Sequence, residues 1–67
     1  MLPKIGQTIE LTRMDNDPDP IPVGTRGVVE GIFPVFDEYQ IQVRWANGRR
    51  LSLIYPMDEF RIVEEKL

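Results

Sequence analysis

Tyr39-Gln40-Ile41-Gln42-Val43-Arg44-Trp45-Ala46-Asn47-Gly48-Arg49-Arg50-Leu51-Ser52-Leu53 is the stretch that decides the fold. Its apolar residues fall at 39, 41, 43 and 45 with polar residues between them, the period of a strand with one buried face. Asn47-Gly48 signals a hairpin, and parity selects its form. A two-residue loop would pair 46 with 49 and set Leu51 opposite Arg44 and Leu53 opposite Gln42, so the apolar faces would not meet. A three-residue Ala46-Asn47-Gly48 loop, with Gly48 left-handed, pairs Trp45 with Arg49, Val43 with Leu51 and Ile41 with Leu53. The second register is the one expected.

Upstream, residues 26 to 33 are apolar with glycine at 27 and 31, so Val29 and Ile32 share a face only if a residue is bulged out, naturally at Gly31. A connection through Pro34 to Asp37 joins this strand to the next. Residues 5 to 13 alternate through Ile9 and Leu11 and form a first strand. Between them, residues 14 to 25 hold three prolines among Asp and Asn, the composition of a long, stiff loop. Downstream, residues 55 to 59 have room for one 3₁₀ turn at Pro56 with a solvated end at Asp58 and Glu59. A last short strand runs from Phe60 to Val63, and 64–67 reads as a frayed tail.

There is no helical period, repeat or low-complexity tract, so residues 1–67 are expected to be a single all-β domain. Strands at this spacing point to a small five-stranded SH3-like barrel, because closing the sheet removes edges that so short a chain cannot cover. Ile9, Leu11, Val29, Ile41, Val43, Trp45, Leu51 and Leu53 are the expected core.

Composition excludes several chemistries. The chain has no histidine, no cysteine and one serine, Ser52, at an outward strand position, so no nucleophile–base pair and no zinc site can be assembled. Carboxylate pairs would need a cleft of several hundred cubic ångströms to shift their pKa values, and a domain this small is expected to offer none. No enzyme activity, cofactor or metal is therefore expected. The absence of a long apolar run argues against a membrane and for the cytoplasm. A net charge of −3 argues against nucleic acid as the first partner, although a local basic patch can exist on an acidic protein.

The candidate sites are surfaces. Asp15, Asp17 and Asp19 imitate positions 1, 3 and 5 of a calcium loop, but Pro20 stands where that loop needs glycine and Arg26 where it needs a bidentate glutamate. These carboxylates are read as capping turns, or as meeting a basic partner. Phe36 and Tyr55, with Phe33, are the aromatics whose position favours exposure, whereas Tyr39, Trp45 and Phe60 have core parity. The other surface is basic. Arg44 is expected directly across from Arg50, an unfavourable pairing worth up to ~1 kcal/mol unless a carboxylate such as Glu30 or an anionic ligand separates them. Arg26 and Arg49 complete that set.

The stretches Gly24-Thr25-Arg26-Gly27-Val28-Val29-Glu30-Gly31-Ile32 and Ile41-Gln42-Val43-Arg44-Trp45-Ala46-Asn47-Gly48, with Leu51, Leu53 and Met14-Asp15, resemble the short bacterial SH3-like domains catalogued as domain of unknown function 4314. The resemblance covers nearly the whole chain and implies the SH3-like fold, since it is carried by structural glycines and core positions. It also implies a phage or mobile-element setting, where members of that family are frequent. A looser similarity, Gly27 ahead of Val29, extends to the barrel modules of ribosomal and transcription-elongation proteins, which carry more basic charge.

The leading reading is a non-catalytic binding or adaptor module for another protein, with Asp15, Asp17, Asp19, Phe36 and Tyr55 on its contact surface. The alternative is a nucleic-acid-binding barrel using Arg26, Arg44, Arg49 and Arg50. A third reading is self-association through a sheet edge, giving a homo-oligomer.

Overall fold

The structure, a computed structural model, describes residues 2–15 and 17–63. The tail at 64–67 lies outside them. Five antiparallel strands, β1 (Thr8–Arg13), β2 (Arg26–Val35), β3 (Glu38–Trp45), β4 (Leu53–Tyr55) and β5 (Glu59–Val63), form one sheet in the order β4-β3-β2-β1-β5. No helix occurs among the described residues, and so none that is long and apolar enough to cross a membrane.

The parity argument gives the right register. Ile41 pairs with Leu53, Arg44 bridges Arg50, and the Trp45 N–H donates to the Arg49 carbonyl at 3.1 Å. Gly48 has φ +87°, a backbone conformation that costs an L side chain roughly 1 kcal/mol or more. β2 is bulged as expected, but the extra residue is Glu30 rather than Gly31: pairing shifts between Val29, opposite Val43, and Gly31, opposite Gln42. This bend lets the start of β2 pair with β1 while its second half runs with β3 alone. Pro34 is tolerated in that second half because β1 no longer needs its missing N–H.

Ile9, Leu11, Met14, Ile21, Val29, Ile41, Val43, Trp45 and Leu53 form the buried core. Leu51, expected inside, only packs against it. Met14 and Ile21 were not expected there. They show that the proline-rich loop folds back to plug the core rather than lying in solvent, with the Ile21 N–H donating to the Met14 sulfur at 3.4 Å. Trp45 satisfies its indole N–H on the Leu51 carbonyl at 2.8 Å.

Several details differ from expectation. The sheet is not closed by hydrogen bonds into a barrel: β4 and β5 are its two edges. Both are short, and side chains bridge them, the Tyr55 and Phe60 rings lying 5.6 Å apart. The first strand begins at Thr8 rather than at Ile5, because a turn at Gly6 leaves Ile5 exposed. The connection from β4 to β5 is a plain turn following the cis Tyr55–Pro56 bond, not a 3₁₀ turn. Asp58 is buried there rather than solvated. Its backbone N–H donates to the Ile54 carbonyl at 2.7 Å and its carboxylate accepts the Ile54 N–H at 2.9 Å, so one residue closes the turn with both backbone and side chain.

Candidate binding surfaces

Where the sheet stays open, the core is incompletely covered. Leu2, Tyr55, Phe60 and Ile62 are only half-buried against it, and together with Pro56 they line a groove of ≈ 830 Å³ between the β4 and β5 ends. Its rim is polar and close to neutral. Lys4 and Glu59 line it, and Glu59 accepts a hydrogen bond from Arg13 at 3.2 Å. Arg13 also binds Asp15, and these two carboxylates raise its pKa, Asp15 contributing the larger part. The expectation that so small a domain offers no cleft of several hundred cubic ångströms is therefore wrong. An unclosed sheet leaves one, though Glu59 is its only carboxylate among the described residues.

The outer face carries the second concavity, ≈ 410 Å³, bounded by Arg26, Arg44, Arg50, Thr8, Val28 and the Ala46–Gly48 turn. Register explains its assembly. Thr8 pairs with Val28, Val28 with Arg44, and Arg44 bridges Arg50, so these residues form one row across four strand positions on the face opposite the core. Gly27 is beneath them. A Cβ there would come within 2.5 Å of Val43 Cγ1, 2.9 Å of Trp45 Cε3 and 3.0 Å of the Arg44 carbonyl, so only glycine lets β2 lie this close to β3.

The arginines differ in their partners. Arg50 reaches Glu30 at 3.3 Å, the carboxylate anticipated as a separator. Arg26 reaches Glu10 at 3.2 Å, and Arg61 binds both oxygens of that same carboxylate at 3.1 Å. Arg44 has no ion pair among the described residues. Arg49 does not join them: it turns toward the loop, to Asp19 at 3.5 Å and the Pro20 carbonyl at 3.5 Å.

The expected protein-binding residues are only partly brought together. Asp15 joins the groove rim through Arg13, whereas Asp17 caps the loop by accepting the Asp19 N–H at 2.9 Å and Asp19 ties down Arg49. Tyr55 is in the groove. Phe36 is elsewhere, at the tip of the β2–β3 hairpin, fully exposed with φ +54°. Phe33 and Val35 beside it are also exposed, as is Tyr39, which has core parity but lies beyond the end of the core.

A family model described as Domain of unknown function (DUF4314) matches residues 3–63, nearly the full chain. The chain belongs to the DUF4314 family. No curated protein and no solved structure matches it.

In this DUF4314 domain the two concavities draw on residues that the sequence did not single out. Arg61, beside the outer cavity rather than in its lining, is another: hydrogen bonds from it, then from Arg26, hold the Glu10 carboxyl below the usual carboxylate range. Its place beside Glu10 follows from the β1–β5 register, Glu10 opposite Arg61, which no local pattern reveals. Leu2 and Ile62 are likewise brought to one groove only by the fold of the DUF4314 chain.

Proposed function

We propose that this chain is a non-catalytic protein-binding module that takes an extended, apolar segment of a partner into the groove between β4 and β5. One observation carries the reading: among the described residues, four of the six apolar side chains that are only partly buried against the core, Leu2, Tyr55, Phe60 and Ile62, line a single groove. Apolar surface left half in water gains about 25 cal/mol per Å² when an occupant covers it. The edges on either side favour an extended occupant, because among the described residues β4 and β5 each have one side without a strand partner and can make main-chain hydrogen bonds there.

The strand order, with β1 between β2 and β5, supports reading the sheet as an SH3-like barrel left open at this seam. The near-neutral rim selects against strongly charged segments. Asp15 extends the surface on one side, and on the other the β3 residue Tyr39, paired with Tyr55, leads out along the hairpin toward Phe36.

Selection from a random-peptide display library on the immobilised domain tests this. Enriched peptides should carry apolar residues at alternate positions, bind with little change between low and high salt, and lose binding in a folded Phe60→Ser variant. No enrichment, or binding that survives Phe60→Ser, would overturn the reading.

A further inference from the structure

The outer-face cavity has a different chemistry, and we propose that it binds phosphate groups, those of a single-stranded nucleic acid above all. Arg26, Arg61, Arg44 and Arg50 share this face, and among the described residues their ion-pair partners are Glu10 and Glu30 alone, so positive charge is in excess there on a protein whose net charge is −3. Arg44 decides the matter. It lines the cavity, is solvent-exposed, has no carboxylate partner among the described residues and bridges a second arginine across the strand pair. Two guanidinium groups held in register repel each other, and an anion placed between them converts that repulsion into two charge-assisted contacts.

The rest of the cavity fits a phosphoester better than a simple inorganic anion. Val28 gives it an apolar floor in the row between Thr8 and Arg44, so an organic group attached to the phosphate has somewhere to lie. The arginines also continue beyond it. From Arg61 on β5 through Arg26 on β2 and Arg44 on β3 to Arg50 before β4, they cross the whole sheet, roughly 19 Å at ~4.8 Å per strand. A chain of phosphodiesters can follow such a track; a single phosphate cannot use it. Glu10 and Glu30 apart, the nearest acidic residue of outward parity on these strands, Glu38, is at the other end of β3 from Arg44. Asp15 and Glu59 are at the groove rim, Asp19 is on the loop and Asp37 is in the hairpin turn.

Glu30 and Glu10 compete with the ligand for Arg50 and Arg26, which gives the site a signature that a merely sticky surface lacks: removing a negative charge at Glu30 should tighten binding.

The test is fluorescence anisotropy of a labelled deoxythymidine oligonucleotide at several salt concentrations, with tripolyphosphate titrated separately and read by the fluorescence of Trp45, the sole tryptophan. Expected is binding at low salt that weakens log-linearly as salt rises. Arg44→Ala should lower the magnitude of that slope by about 1. Glu30→Gln should raise affinity several-fold, and Arg49→Ala, whose guanidinium is held by the loop, should change little. Melting midpoints establish that each variant is folded. Oligonucleotide binding that tripolyphosphate does not displace assigns the site to a nucleic-acid strand, and displacement at equal phosphate assigns it to phosphate groups from either source. Absence of binding by both probes at low salt, or equal losses in Arg44→Ala and Arg49→Ala, would overturn the proposal.

Discussion

The groove and the arginine cavity are built in opposite ways. The cavity rests on the middle of the sheet, where β1, β2 and β3 are joined by continuous backbone pairing and Gly27 brings two strands into contact. The groove rests on the two strands that lack a second neighbour among the described residues, and its apolar walls are half-buried side chains. A site in the middle of a sheet has its geometry fixed by the backbone, whereas one at the edges can adapt to an occupant. The first suits charges whose spacing must be held, and the second suits an apolar segment of variable shape.

The floor of the cavity is where this contrast breaks most sharply. Gly27→Ala should destabilise the domain by about 3 kcal/mol, because the new methyl meets the Arg44 carbonyl as well as two core side chains. Gly31→Ala is its control. There the methyl meets the Phe33 ring at 2.8 Å, and that ring is half-exposed and can move aside, so the cost should stay below ~1 kcal/mol. Urea unfolding midpoints give both values, and equal costs would mean that the cavity floor is no more rigid than the bulge.

On the groove side the corresponding rigid element is Asp58. Asp58→Ala removes the acceptor of the partly buried Ile54 N–H and should cost about 2 kcal/mol. Peptide affinity should fall with it, while oligonucleotide binding should not. If both fall together, the two surfaces are coupled through the sheet.

The smallest effect expected is in the pH dependence of stability. The Glu10 carboxyl is held below its ordinary value of 4.5 by Arg61 first and Arg26 second, so its contribution is fully present above that value and is lost as the pH falls through the lowered one. Wild type should therefore be more stable than Glu10→Gln near neutrality, and the two unfolding midpoints should converge as the solution is acidified below pH 4.5. A gap that stays constant down the acid limb would remove the ion pairs from the account.

What could be read from the sequence follows the same division. The β3–β4 hairpin was legible because alternation and one glycine fix a register locally, and with the register came the facing of Arg44 and Arg50 and the separation by Glu30. That β2 must be bulged was legible for the same reason, although the extra residue is Glu30 and not Gly31. The groove was not, since it depends on Leu2 meeting Ile62 and on Tyr55 meeting Phe60 across an unpaired seam. Arg49 was misjudged and Arg61 passed over for one physical reason: proximity in sequence placed Arg49 with its neighbours, while tertiary pairing gave it to Asp19 and put Arg61 at Glu10 instead. Met14 and Ile21 entered the core because a proline-rich loop, stiff in itself, can still lay its few apolar side chains over the sheet.

Amide chemical-shift mapping on one isotopically labelled sample, titrated first with a selected apolar peptide and then with the deoxythymidine oligonucleotide, tests the separation of the two surfaces most directly. The account predicts two disjoint sets of perturbed amides: Tyr55, Phe60 and Ile62 for the peptide, and Gly27, Val28, Arg44 and Gly48 for the oligonucleotide, with both ligands bound together at saturation. A single shared set, or displacement of one ligand by the other, would contradict it.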